Sequence, residues 1–96
     1  MVVAQVIPQA VLRRRAGAEG SRLGAEYVLL DPSGTMLRGL NENGARIWES
    51  LDGVRTLAQI ASTLAEAHGA DEARVLSDVL RFASLLVEKG LAEPVP

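Results

Sequence analysis

The chain changes character once along its length, near Leu40. Before that point apolar residues come in short runs punctuated by glycine; after it they recur at helical spacing. Short runs bounded by turn residues predict strands, and i, i+3, i+4 spacing predicts amphipathic helices. Pro8 argues against regular structure at the extreme N-terminus. Ala10–Arg15 reads as a short first strand. Ala16–Gly24 holds Gly17, Gly20, Ser21 and Gly24 and reads as a loop. Ala25–Leu30, carrying Tyr27, Val28, Leu29 and Leu30, is the strongest strand signal. Asp31-Pro32-Ser33-Gly34 then predicts a type I turn: proline presets φ at the second position, and the aspartate can bond back to the backbone. Thr35–Leu40 completes a hairpin as a third strand. Gly39 marks a bulge, a close backbone approach or simple strand termination.

Three helices follow. Asn41 is placed to cap the first, Glu42–Leu51, whose apolar face is Ala45, Ile47, Trp48 and Leu51. Asp52-Gly53 ends it in a turn. Thr56 caps a second helix, Leu57–Ala67, with Leu57, Ile60, Ala61 and Leu64 on one stripe, and Gly69 stops it. Asp71 caps a third that runs to Lys89 and ends at Gly90. Its apolar positions Val75, Leu76, Val79, Leu80, Phe82, Ala83, Leu86 and Val87 cover an arc of roughly 160°, wider than the ~100° needed to seat on one core, and Leu85 lies outside it, nearer the Phe82 edge. Such a helix either sits deep among two other elements or has a second thing to pack against. Leu91–Val95 is expected to pack back as a short tail. The elements predict an α+β fold with a small sheet followed by three helices, in one domain over 10–93, with an N-terminal extension over 1–9 and a tail over 94–96.

Composition narrows the function. With 96 residues, nearly half hydrophobic and mostly aliphatic, the chain can form one thin-cored domain. Its net charge of −2 gives no general attraction to nucleic acid or anionic membrane. The absence of cysteine excludes disulfides and thiolate metal sites and fits a reducing cytoplasm. The N-terminus lacks a basic leader and a long apolar run, so it is a poor signal peptide. No stretch approaches the ~20 apolar residues of a membrane span. His68 is the single histidine, so a transition-metal site has no second soft ligand; near a helix C-terminus it reads as a surface residue. No nucleophile elbow, phosphate loop or dinucleotide fingerprint is present. The expectation is a binding protein with no catalytic residues, no metal and no cofactor. Arg13-Arg14-Arg15 is the one charge run: either a contact for phosphate or an acidic partner, or an edge strand protected by charge.

Three helices with a small sheet suggest a winged helix, and hence DNA as a first alternative. The third helix would be the reader. Over Asp71–Lys89 it has three basic residues against four acidic ones, a net charge of −1. Phosphate neutralisation dominates nucleic-acid affinity, so an acidic reader argues against DNA. The other use of this architecture is peptide capture, with an extended peptide adding to a free sheet edge and an apolar groove supplying specificity.

Specific residues sharpen that reading. Tyr27-Val28-Leu29-Leu30-Asp31-Pro32-Ser33-Gly34, then Leu40-Asn41-Glu42-Asn43-Gly44-Ala45 with Ile47-Trp48, then Leu51-Asp52-Gly53-Val54-Arg55-Thr56 with Ile60, resemble the PqqD-like family, the precursor recognition elements of ribosomally made, modified peptides. So does the ending Asp78-Val79-Leu80-Arg81-Phe82, Leu85-Leu86 and Lys89-Gly90-Leu91. The likeness covers roughly Leu12–Ala92. It implies a three-stranded antiparallel sheet on a winged helix-turn-helix-like unit. The resemblance also implies that the protein holds the leader of a precursor peptide and presents it to a modifying enzyme such as a radical enzyme, protease or cyclase. In the family the leader adds to the third-strand edge and packs over the third helix. Carried onto this chain, the edge is Thr35, Met36, Leu37, Arg38 and Gly39, and the helix positions are Val75, Asp78, Val79, Phe82 and Leu85. Phe82 would be the apolar anchor, Asp78 a partner for a basic group or a local cap, and Arg38 a partner for an acidic leader residue. For Val75, Val79 and Phe82 the alternative is plain core. Gly90-Leu91 departs from the Gly-Trp step common in PqqD itself, so a lasso peptide or another modified class fits as well as quinone-cofactor biosynthesis. Nucleic acid and membrane are not expected partners. The protein would be a monomer, or a dimer that swaps the hairpin through the Ala16–Gly24 loop.

Overall fold

A computed structural model of the protein describes residues 6–95, with the backbone alone at 36–38. Most of the N-terminal extension, residues 1–5, and the last residue of the expected tail lie outside the described residues. The elements are β1 (Val11–Arg14), β2 (Glu19–Leu23), β3 (Glu26–Leu30), β4 (Met36–Leu40), α1 (Glu42–Ser50), β5 (Asp52–Thr56), α2 (Leu57–His68), α3 (Glu72–Glu88) and β6 (Ala92–Pro94). They form two antiparallel sheets, ordered β2-β3-β4 and β5-β1-β6, with the three helices packed against them.

The α+β class, the three helices and a three-stranded antiparallel sheet are as the sequence predicts. All three helix caps form as expected. Asn41 Oδ1 accepts from the Gly44 amide at 2.8 Å. Thr56 and Gln59 exchange bonds in a capping box, and Asp71 Oδ2 accepts from the Arg74 amide at 3.1 Å. Each cap satisfies amides that have no partner inside the helix. Gly69 ends α2 with a left-handed φ of 60°.

The membership of the sheets differs from the sequence reading. Ala16–Gly24 is not all loop: β2 pairs along its whole length with β3, from Glu19↔Leu30 to Leu23↔Glu26. It has no apolar alternation because almost all of it faces solvent, so pattern reading misses it. What holds it is close packing at Gly20. A Cβ there would lie 2.6 Å from Tyr27 Cε1 and 2.8 Å from Trp48 Nε1, so only a bare Cα lets the strand reach the core. The segment invoked as a hinge for strand exchange is therefore largely a paired strand.

The expected first strand joins the other sheet, in its middle. β1 pairs with β6 at Leu12↔Pro94 and Arg14↔Ala92, and with β5 at Val11↔Thr56 and Arg13↔Asp52. Asp52–Thr56 thus acts as a bulged strand as well as a turn. Asp52 Oδ1 accepts from the amides of Val54 and Arg55 at 2.9 and 3.0 Å, and Gly53 takes a φ of 75°. Those bonds hold the Asp52 carboxyl far below its usual range. The arginine run does not protect an edge, since β1 has a neighbour on each side. Instead Arg13 bonds Glu93 at 2.8 Å across β1–β6, and Arg14 lies 5.9 Å from the Trp48 ring centroid. The tail is likewise pinned: β6 runs through Pro94, and the Val95 amide donates to Val11 O at 2.8 Å. The core between sheets and helices centres on Leu12, Leu29, Trp48, Leu57, Ile60, Val79 and Leu86, all nearly free of solvent.

Candidate peptide-binding groove

β4 is an edge of its sheet. It is set there by the Asp31–Gly34 turn. Asp31 O accepts from the Gly34 amide at 2.9 Å, and Asp31 Oδ1 accepts from Ser33 N, Ser33 Oγ and Thr35 N between 2.6 and 3.0 Å. These bonds, the Ser33 hydroxyl first among them, lower the Asp31 pKa. Gly34, with φ of 88°, closes the turn. Beyond it Arg38 pairs with Leu29 while Met36 pairs with Leu30, which leaves Leu37 as an extra residue in a β-bulge. The bulge is thus at Leu37 and not at Gly39. Gly39 pairs with Val28 and the strand continues to Leu40. A bulged edge twists and resists indiscriminate pairing between sheets.

Where β4 runs into α1, an open groove of about 590 Å³ separates it from α3. One wall is Gly39, Leu40 and Asn41; α1 supplies Asn43, Gly44 and Ile47; α3 supplies Asp78, Arg81, Phe82, Leu85 and Glu88. A smaller hollow of about 70 Å³ continues from Leu40, Phe82 and Leu85 to Leu29, Leu86 and Leu91, with Lys89 at its rim. The floor is therefore aliphatic and aromatic, and the rim carries charges of both signs. Asp78 lies 3.9 Å from Arg81, both well exposed, so this pair leaves its carboxylate open to other donors.

Two features shape the floor. Phe82 is half-buried, its ring leaning toward α1. Gly44 leaves a gap beside it: a Cβ at this helical position would make ordinary contacts with Phe82 Cζ at 3.6 Å and Leu40 Cβ at 3.5 Å and a tight one with Asn41 Oδ1 at 3.3 Å. A larger side chain would fill the groove from the α1 side.

The sequence-predicted residues separate into groups. Gly39, Asp78, Phe82 and Leu85 line the groove together. Thr35 is exposed at the far end of the edge, and Met36, Leu37 and Arg38 contribute described backbone. Val79 has no exposed surface (0%) and belongs to the core, because the α3 stripe that carries it faces α2 and the sheets; it supports the groove from beneath. Val75 lies on a neighbouring hollow and not on the groove itself. The α1 side, Asn43, Gly44 and Ile47, is absent from the sequence-predicted set. Its one signal is the glycine near the start of a helix, a position where glycine is costly unless something approaches closely. Among the described residues no helix is long and apolar enough to cross a membrane, and no group of three His, Cys, Asp or Glu side chains could hold a metal ion.

Known proteins are similar to this chain in sequence and in fold. A family model for coenzyme PQQ synthesis protein D (PqqD) matches residues 26–92, from β3 to the start of β6. The PqqA binding protein of Xanthomonas oryzae pv. oryzae (strain KACC10331 / KXO85) is 34% identical over 83 residues, covering 86% of this chain and 88% of that protein. The PqqD truncation of Methylobacterium extorquens PqqCD, a functional and stand-alone recognition element for ribosomally synthesised, post-translationally modified peptides, is similar with a TM-score of 0.72 and 28% identity. That match covers 90% of this chain and 97% of its own. Lasso peptide synthetase B1 complexed with its leader peptide gives a TM-score of 0.72 at 26% identity, over 86% of this chain and 98% of its own. TbiB1 in complex with the TbiA(beta) leader peptide gives 0.70 at 27%, over 84% and 94%. The family model spans most of the chain and a relative matches over nearly its whole length, so the chain belongs to the PqqD family.

Proposed function

We propose that this protein captures the leader segment of a ribosomally synthesised precursor peptide and presents the peptide to a separate modifying enzyme. The leader adds to β4 as a further antiparallel strand, and its apolar side chains settle in the groove over Phe82 and Leu85. The observation that carries this reading is the juxtaposition of an edge strand with an apolar-floored groove that begins where the strand ends. Main-chain bonds along the edge supply affinity with little sequence demand, and the groove selects side chains at alternate positions. Relatives and structural neighbours described by the peptides they bind support the same reading. The protein itself contributes binding and orientation and no chemistry; the modifying enzyme supplies the reaction. It works in the cytoplasm, where ribosomal products are first available.

An amide NMR titration of the labelled protein tests this, using three probes: synthetic PqqA, the TbiA(beta) leader, and the short peptide encoded beside the gene. Shifts concentrated on residues 35–40 and on α3 from Asp78 to Leu85 are expected with at least one of them. Shifts elsewhere, or none at high peptide concentration with all three, overturn the proposal. Duplex DNA titrated under the same conditions is expected to leave α3 unmoved.

A further inference from the structure

A second hollow, of about 500 Å³, lies on the other side of the groove's α1 end, enclosed by α1, α2 and the start of α3. The two hollows meet at Asn43, Ile47 and Asp78, which line both. Its apolar floor is Ile47, Leu64 and Val75, and its polar wall is Arg46, His68 and Arg74 together with Asn43, Asp71 and Asp78.

Two arginines, Arg46 and Arg74, and two aspartates, Asp71 and Asp78, line this hollow, so what differs is how far each group is already engaged. Asp71 is turned back onto the Arg74 amide as the α3 cap, and Asp78, 3.9 Å from Arg81, sits where the hollow meets the groove. Glu42 serves two arginines: Arg22 at 2.9 Å and, more distantly, Arg46 at 3.6 Å. The close Arg22 contact holds the Glu42 carboxyl below its usual range, and Arg46 rests its guanidinium against the His68 ring. Among the described residues Arg74 makes no ion pair. Arg46 and Arg74 therefore present donors to this compartment beyond what the fold uses.

Direction follows from the sheet. Every pairing in β2-β3-β4 is antiparallel. A strand added antiparallel to β4 starts at the Leu40 end and finishes near Thr35. The peptide residues that precede it therefore lie at the junction of the two hollows. We infer that the second hollow receives an acidic residue of the captured peptide, N-terminal to the strand-forming segment, with its carboxylate between Arg46 and Arg74 and its methylenes over Leu64 and Val75. This rests on the strand-capture reading and adds to it a charge requirement at a fixed distance upstream.

The test is peptide selection from a random-sequence display library against the wild-type protein and against the Arg46→Gln/Arg74→Gln variant. Both arginines lie on the surface, and circular dichroism checks that the variant folds. The wild type is expected to enrich peptides with alternating apolar residues and, at a constant spacing before them, Glu or Asp. The variant is expected to keep the alternation and lose the acidic position. Replacing that Glu by Gln in a selected peptide should weaken wild-type binding about tenfold and variant binding much less. Alternation without an acidic position, or an acidic position that persists in the variant, overturns the inference and leaves strand capture standing. A library from which the wild type enriches no sequence overturns strand capture, and this inference with it.

Discussion

Gly44→Ala separates groove function from folding, because the structure places the new methyl in the groove wall and almost nowhere else. The methyl would meet Phe82 Cζ at 3.6 Å and Leu40 Cβ at 3.5 Å, both ordinary contacts. Its one tight neighbour is Asn41 Oδ1 at 3.3 Å, the oxygen that caps α1, which must yield by a few tenths of an ångström. Weakening the cap costs some part of its typical ~1 kcal/mol. Replacing glycine by alanine in a helix returns up to about 1 kcal/mol of backbone entropy, less so near the first turn. The two effects oppose each other, so stability should change by less than about 1 kcal/mol. Binding has no such compensation. If the methyl displaces one apolar peptide side chain from between Leu40 and Phe82, the loss is about 1.5–3 kcal/mol, or roughly 10- to 100-fold in Kd. Thermal melts and isothermal titration with a peptide that binds the wild type measure the two quantities on the same samples. An unchanged Kd in a variant that melts like the wild type would refute the groove as the binding surface. Phe82→Ala probes the same floor more harshly and less cleanly, since the half-buried ring also packs against the core.

Three further outcomes are expected. Gly20→Ala should destabilise the fold by about 1–3 kcal/mol, measured by urea unfolding, because its Cβ would overlap the Tyr27 ring and crowd Trp48; wild-type stability would show that β2 does not need its close approach. Stability should also fall in acid. Asp31 and Asp52 have folded pKa values depressed below the ordinary 3.8, so their contribution is complete above that value and is lost as pH falls through the folded values. Melts between about pH 7 and about pH 2 should show a decline starting near pH 4 that is shallower in Asp52→Asn, and an identical decline in that variant would remove Asp52 as its source. Single N-methylation along a bound peptide should weaken binding at every second residue, since alternate amides of an added strand face β4; uniform tolerance would exclude strand addition. Blocking the peptide is the cleaner probe, because a proline at Leu37 falls in the bulge, where proline is tolerated.

Local chemistry determined much of this protein by sequence alone. Asn41, Thr56 and Asp71 start helices through bonds within a few residues, and the Asp31–Gly34 turn closes on itself, so each was legible without a fold. The apolar stripe of α3 was legible too, and with the residues that resemble the PqqD family it pointed to Phe82 and Leu85. Which stripe residues face a ligand was not. Val79 and Phe82 are three positions apart on one helix, yet one is sealed in the core and the other leans into the groove, a distinction made by what packs on each side. The strands divide in the same way. β3 carries its own apolar signal, whereas β2 is polar and β5 reads as a turn. These two exist as strands because β3 and β1 offer unpaired backbone that must be satisfied, and because Gly20 lets β2 approach the core. The groove is a tertiary product for the same reason: its walls come from β4, α1 and α3, and its width is decided by the missing side chain at Gly44.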